Sequence, residues 1–229
     1  MRQRSKPRIW DTDWLVLKPL AQVIEQQVKR YARRGGSIID LGCGDMPYKA
    51  IIESQGFMYR GADLDDSADL PIDEDGKVAA ETGSTDAVLS VQVLEHVRNL
   101  DTYFSEIRRL LRDPDGVLFL STHGTWLYHP HPEDHRRWTS TGLIGELENA
   151  GFQVDEIVPI AGPLATTTLI RQTGFVYFLD RVPIVGRIAG RVLTVIMNTR
   201  AMVEDKLTPE SIRRDNACVY FVRARKCGR

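Results

Sequence analysis

The sequence predicts an α/β fold: a Rossmann-like, doubly wound, mostly parallel sheet with helices on both faces. Short apolar runs alternate with helical patterns along the chain, which is typical of parallel strands covered by helices. A glycine loop follows the first of these runs, at residues 41–44. The chain has 229 residues, of which 42% are hydrophobic and 27% charged, so we expect residues 1–229 to form a single folded domain.

Composition also excludes several classes of protein. The formal net charge of −1 disfavours nucleic acid as a partner. No apolar run reaches about 18 residues, so we expect no spanning helix. The basic start of the chain is not followed by an apolar run, so we expect no secretory signal. Three cysteines without metal-ligand spacing, Cys43, Cys218 and Cys227, predict a reducing cytoplasmic setting.

Apolar spacing and turn residues predict the helices and strands along the chain. Residues 1–34 are predicted as an N-terminal helical segment, because apolar residues recur at helical spacing over residues 15–33 before two glycines. Continuous apolar runs bounded by glycine or turn residues predict buried strands, and amphipathic runs between them predict helices. The strands are expected at residues 37–41, 58–63, 87–91, 117–122, 152–159 and 218–225, and the helices at 47–55, 100–112 and 139–150.

Residues 161–215 separate the last two predicted strands. This stretch is longer than an ordinary connection, and it is too apolar for a disordered linker. We therefore predict a helical insertion of two helices packed on the domain.

The strongest functional signal is the segment IIDLGCGDMP, residues 38–47. Asp40 ends an apolar strand, and Gly42 and Gly44 would let the chain turn and a ligand approach the main chain. Asp63 ends the next strand 23 residues later, near the offset of about 20 residues at which a carboxylate meets ribose hydroxyls. Pro47 stands where the dinucleotide pattern requires glycine, which disfavours an NAD oxidoreductase.

These residues resemble the class I S-adenosylmethionine-dependent methyltransferases, whose first motif is an acid followed by two glycines one residue apart. The resemblance implies S-adenosylmethionine as cofactor. It places Asp40, Gly42 and Gly44 at the methionine part of the cofactor. By the same resemblance Asp63 would bind the ribose, and Leu64 would lie against the adenine.

A second segment, TDAVLSVQVLEHV at residues 85–97, resembles the strand and turn that end beside the cofactor in the same family. Gln92 is the candidate there for a cofactor or acceptor contact. We expect Glu95 to favour the dipole of a following helix and His96 to be a core residue. The family resemblance extends over residues 35–160.

The candidate acceptor site is the segment HGTWLYHPHPEDHRRWT, residues 123–139, which follows a predicted strand. Ligands bind at the carboxyl ends of parallel strands in such folds. The segment holds four of the five histidines, and histidine suits proton transfer near neutral pH. Its spacing does not match a zinc motif, so we expect no metal site.

This segment resembles the corresponding loop of methyltransferases associated with bacterial surface-glycan synthesis. The resemblance implies O-methylation of a sugar, glycan or other small-molecule acceptor. We expect His129 to be the base, with Asp134 and Arg137 orienting it or holding the acceptor. The matching residues are His129, Pro132, Asp134, Arg137, Trp138 and Thr139, whereas the often aromatic position 135 is His135.

Alternatives remain open at this point. The acceptor could be a quinone, polyketide or carboxylate, or the chain could be a non-catalytic methyltransferase-like partner protein. Residues 91–93 lack the Pro-Pro-aromatic turn of family members that methylate amines, which favours oxygen. Residues 184–200 have a basic amphipathic pattern that suits peripheral contact with the inner membrane surface. A lid, core or homodimer helix accounts for the same pattern and is the interpretation that we favour from the sequence.

Overall fold

A computed structural model describes residues 4–65, 67–130 and 133–227. Within these residues one sheet contains seven strands, and seven α-helices surround it. The strands are β1 (Ser37–Leu41), β2 (Met58–Asp63), β3 (Leu70–Pro71), β4 (Ala87–Val91), β5 (Val117–His123), β6 (Phe152–Ile160) and β7 (Val219–Lys226). The helices are α1 (Trp14–Tyr31), α2 (Lys49–Glu53), α3 (Leu100–Leu110), α4 (Ser140–Asn149), α5 (Pro163–Leu179), α6 (Val185–Leu207) and α7 (Glu210–Asp215).

The strand order is β3-β2-β1-β4-β5-β7-β6. Strands β3, β2, β1, β4 and β5 pair in parallel, whereas β7 runs antiparallel to both of its neighbours. The predicted Rossmann-like, mostly parallel sheet is therefore confirmed. Because the order reverses direction at β1 and β4, the crevice at the carboxyl ends of these two strands is where such a sheet binds ligands.

Two apolar layers cover the sheet, one on each face. Strand β5 shows why: Val117 and Phe119 belong to the layer formed with α1, α5 and α6, and Leu118 and Leu120 to the layer formed with α3 and α4. Successive side chains of a strand point to opposite faces, so a strand buried on both faces needs a continuous apolar run. This is the run that the sequence displays.

The structure differs from the predicted elements in three places. Helix α2 begins at Lys49 rather than at Pro47, because proline disfavours the helical conformation of the residue before it, and Met46 has a φ of 52°. Strand β3 is only two residues long, too short to give a pattern. The insertion holds three helices instead of two, since α7 starts again directly after Pro209.

Candidate functional site

The glycine loop turns immediately after β1, with a φ of 75° at Gly42 and 51° at Gly44. A Cβ atom on Gly42 would lie 2.5 Å from a methyl carbon of Val93, so a side chain there has no room. A Cβ atom on Gly44 would meet nothing within 4 Å. The loop is thus packed against the protein at Gly42 and borders open space at Gly44, where a ligand can approach the main chain.

Asp63 ends β2 beside this loop. Its Oδ2 accepts a hydrogen bond from the Gly44 amide at 2.7 Å, and its Oδ1 accepts one from the Leu64 amide at 2.7 Å. A carboxylate has about four lone-pair positions, so both oxygens retain capacity for ligand hydroxyls. The side chain of Leu64 is 70% exposed and lies next to this carboxylate in sequence. The structure therefore brings Gly44, Asp63 and Leu64 together at one edge of the sheet.

Asp40 is buried at the end of β1 and accepts a hydrogen bond from the Tyr59 hydroxyl at 2.6 Å. Burial raises the pKa of Asp40 to about 7, although the bond from Tyr59 lowers it. Burial also raises the pKa of Tyr48 to about 12, with a further contribution from the charge of Asp40. The Tyr48 hydroxyl is buried and has no hydrogen-bond partner among the described residues.

These observations fit the adenosyl cofactor that the sequence predicts. The main chain is open at Gly44, the Asp63 carboxylate can accept hydroxyl donors, and a buried phenol beside Asp40 lacks a partner. Buried polar groups without partners are uncommon and call for a ligand or another explanation. Gln92 has a φ of 58° directly after β4, and its side-chain amide donates to the Ser121 hydroxyl at 3.3 Å.

Glu95 is a site residue that sequence reasoning missed. Its side chain is buried, with Oε1 2.7 Å from Nδ1 of His123 and Oε2 accepting the Thr122 hydroxyl at 2.8 Å. Burial raises the pKa of Glu95, but the interactions with His123 and Thr122 outweigh it and bring the pKa below its usual value. Glu95 therefore orients His123. The sequence had instead led us to expect that it favours the dipole of a following helix. The sequence signal that could have revealed this role is a charged residue directly after the apolar Leu94.

Three histidine rings converge at this edge. The ring centroid of His129 lies 6.0 Å from that of His123 and 5.5 Å from that of His96. His123 also stacks on Trp126, at 6.2 Å and nearly parallel. The expectation of a core position for His96 is wrong: the residue is half-buried, because the turn after β4 brings it against the loop that follows β5.

Asp134 and Arg137 clamp that loop. Asp134 accepts a hydrogen bond from the His129 main-chain amide at 2.8 Å and pairs with two nitrogens of Arg137. The bond from Arg137 is the main reason that the pKa of Asp134 falls to about 2. Arg137 also donates to the Leu127 carbonyl at 2.7 Å. Asp134 and Arg137 therefore bind the main chain around His129. None of these bonds joins the Asp134 carboxylate to the His129 ring.

Two other predicted features concern this loop. His131 and Pro132 lie outside the described residues. In the part of the chain that the structure describes, no three histidine, cysteine, aspartate or glutamate side chains are arranged to hold a metal ion. The described cysteines all carry free thiols, and Cys227 alone of the three is exposed.

Comparison with known proteins identifies the family. A family profile described as a methyltransferase domain matches residues 17–157. A probable S-adenosylmethionine-dependent methyltransferase of Mycolicibacterium smegmatis is 26% identical over 151 residues. That match covers 58% of this chain and 58% of the relative, so the chain spans little more than half the length of the curated relative.

Solved structures support the fold. The crystal structure of the [4+2]-cyclase SpnF has a TM-score of 0.59 and 15% identity, over 92% of this chain and 82% of that one. The 1,6-didemethyltoxoflavin-N1-methyltransferase of Burkholderia thailandensis, solved with its substrate and S-adenosylhomocysteine, has a TM-score of 0.57 and 16% identity, over 92% and 78%. Because a cyclase shares the fold, the fold alone does not determine the reaction.

Proposed function

Because this chain belongs to the class I S-adenosylmethionine-dependent methyltransferases, we propose that it methylates a hydroxyl oxygen of a sugar, a glycan or another small-molecule acceptor. The observation that carries the proposal is the pairing of an open main chain at Gly44 with the Asp63 carboxylate, at the same sheet edge as three converging histidines. A donor site and a proton-accepting site side by side are what O-methylation requires.

In the donor half of the site, each residue binds or orients. When bound, S-adenosylmethionine supplies an electrophilic methyl group, so the protein mainly aligns the reactants. With the cofactor bound, Asp63 would accept hydrogen bonds from the ribose hydroxyls, and Leu64 would cover the adenine ring. The open backbone at Gly44, with Asp40 and Gly42 before it, would hold the methionine part. Gln92 would contact the cofactor or the acceptor from the end of β4.

In the acceptor half, His129 takes the proton of the attacking hydroxyl. An alcohol is a weak nucleophile until its proton is removed, and a positioned base contributes about 10²–10⁴-fold to such steps. Asp134 and Arg137 are positioning residues for His129, because they hold its main chain in place. The neighbouring Tyr128 side chain is 74% exposed and can pack on the apolar face of a sugar ring.

The setting we propose is the cytoplasm, with a lipid-linked glycan as the acceptor class. Three unpaired thiols support a reducing compartment. A lipid-linked acceptor is supported by the surface of helix α6, where exposed aliphatic side chains lie beside the exposed Arg187 and Arg191. Nitrogen acceptors, such as the 1,6-didemethyltoxoflavin bound by the Burkholderia thailandensis enzyme, are the competing class.

Calorimetry tests the donor site. We expect S-adenosylmethionine to bind and NAD not to bind. Asp63→Ala should weaken binding at least tenfold, because it removes the acceptor for the ribose hydroxyls. Asp65→Ala, which removes the same charge from an exposed position two residues away, is the matched control and should bind as the natural chain does. Equal affinity of the two variants would refute the assignment of Asp63.

Turnover with methyl-labelled cofactor tests the acceptor site. A panel of sugars, lipid-linked glycans, quinones, carboxylates and amines is screened first for label transfer. With the acceptor found, His129→Gln should lower kcat by about 10²–10⁴-fold and leave cofactor affinity unchanged. His135→Gln, in the same loop, is the control. Full turnover by the His129 variant, or label on nitrogen, contradicts the proposal, and cofactor binding without any transfer indicates a non-catalytic protein.

A further inference from the structure

Helix α6 carries a row of exposed aliphatic side chains along its whole length. The row has members at spacings of three, four or seven residues, so they share one face of the helix. Between 49% and 73% of each residue's surface is exposed, on a helix of 23 residues or about 34 Å. The members are Val185, Ile188, Val192, Ile196, Val203 and Leu207.

The opposite face of α6 is already used by the fold. Gly186 allows close packing, since a Cβ there would lie 1.9 Å from the Leu179 carbonyl oxygen of α5. Asn198 is buried and donates to the carbonyls of Ile9 and Asp11, at 2.7 and 2.9 Å. The aliphatic row therefore lies on the side of α6 that nothing in the described chain covers.

The turn between α5 and α6 extends this surface. Phe178, Val182 and Ile184 are each more than half exposed there. Ile184 has a φ of 62°, a conformation that is unfavourable for a β-branched residue. The backbone strain at Ile184 costs stability, and its exposed side chain contributes no burial that would offset the strain.

Charge identifies what this surface contacts. Residues 175–196 contain three arginines and one acidic residue, Asp180, although the whole chain has a net charge of −1. Arg187 and Arg191 are exposed and have no ion-pair or hydrogen-bond partner among the described residues. Apolar side chains beside unpaired arginines match a bilayer surface, where acyl chains lie beneath anionic head groups.

We propose that the α5–α6 tip, defined as residues 175–196, docks on the surface of an anionic membrane. In the described part of the chain no helix combines the length and hydrophobicity needed to cross a bilayer, so α6 would lie on the surface. A second copy of the chain suits the row less well, because a symmetric pair repeats the same arginines on both sides of the contact. This inference goes beyond methyl transfer and does not depend on it.

Vesicle flotation of the full chain tests the proposal. We expect binding to phosphatidylcholine vesicles that contain phosphatidylglycerol, weak binding to pure phosphatidylcholine, and loss of binding in high salt. Ile188→Glu should reduce partitioning at least tenfold, because it removes buried apolar area and adds a repelled charge. The double substitution Arg187→Ala and Arg191→Ala should abolish the preference for anionic vesicles.

Met58→Glu is the matched control, since Met58 is 64% exposed at the start of β2, outside the α5–α6 tip. It should float as the natural chain does, and circular dichroism with thermal unfolding verifies that each variant is folded. Absence of flotation with either vesicle overturns the proposal. So does a dimer in sedimentation that Ile188→Glu dissociates, which would assign the row to self-association. Failure of the donor-site tests would leave flotation unaffected.

Discussion

At the scale of single residues, Asp40 connects burial to ligand binding. Its carboxyl group has a pKa of about 7 because it is buried, and the bond from Tyr59 offsets only part of that effect. In the free protein the native state thus holds a proton that the unfolded chain loses above about pH 4. Stability from this group is therefore lost as pH rises from about 4 to 7.

A cationic ligand reverses the balance at Asp40, since a positive charge nearby favours the carboxylate. Binding of S-adenosylmethionine, whose sulfonium is positive, should release about half a proton at pH 7, and affinity should rise between pH 6 and 8. Calorimetry in buffers of different ionisation enthalpy measures the release. Asp40→Asn should abolish it, and Asp75→Asn, at an exposed turn, should not. Undiminished release in Asp40→Asn would show that another group titrates.

The sequence predicted the positions of those candidate residues whose placement is set by local geometry. Gly42 and Gly44 follow a strand, and the position of Asp63 at the end of the next strand follows from the alternation of elements. Glu95 could not be predicted in the same way, because it lies in the turn after β4 and its partner His123 is 28 residues away, at the end of β5. Such a pairing depends on which strands become neighbours, and β4 and β5 meet only in the folded sheet.

At the scale of elements, the described residues between β5 and α4, 124–130 and 133–139, lack regular structure but are held by charge. Asp134 is ionised down to about pH 2, since Arg137 and the His129 amide both bind it. Because its pKa is depressed, the clamp is fully present above about pH 4 and is lost as pH falls towards 2. Helices α3 and α4 form without such a clamp, and the sequence predicted their first and last residues within two positions.

Removing the clamp should loosen the loop without unfolding the domain. We expect Asp134→Ala to accelerate hydrogen exchange at the His129 amide roughly tenfold to a hundredfold, which corresponds to about 1.5–3 kcal/mol for a bond to a charged group. Glu133→Ala is the comparison, since the half-exposed side chain of Glu133 pairs with Arg98 and His135 rather than with the His129 amide. If both variants exchange alike by NMR, the loop is ordered by something other than this clamp.

At the scale of the whole molecule, the cofactor crevice exists only when β1, β2 and β4 are assembled. A ligand there binds the native state and not the unfolded chain. S-adenosylhomocysteine at a hundred times its Kd should add about 2.7 kcal/mol, or raise Tm by about 5–11 °C for a domain of this size. Thermal unfolding measures the shift. Asp63→Ala, if it weakens binding at least tenfold, should remove about half of the shift or more at the same ligand concentration, and an unchanged shift would place the ligand elsewhere.

The direction of β7 was beyond the reach of the sequence. A strand buried on both faces has the same apolar run whether it is parallel or antiparallel to its neighbours. Its direction follows from residues 163–215, which return the chain to the end of the sheet where β6 finishes, so that Val219 pairs with Ile160. The predicted positions of β1, β2 and β4 were correct to the residue, because glycine or acidic residues bound each of those runs.

Strand β7 is inserted between β5 and β6, although it is synthesised after both. During translation, the edges of β5 and β6 that pair with β7 therefore have no neighbour until residues 219–226 leave the ribosome. Nascent chains in this state would offer those edges to chaperones or to one another. Strand β7 completes the sheet. A chain whose synthesis stalls before residue 219 is therefore an incomplete and aggregation-prone domain.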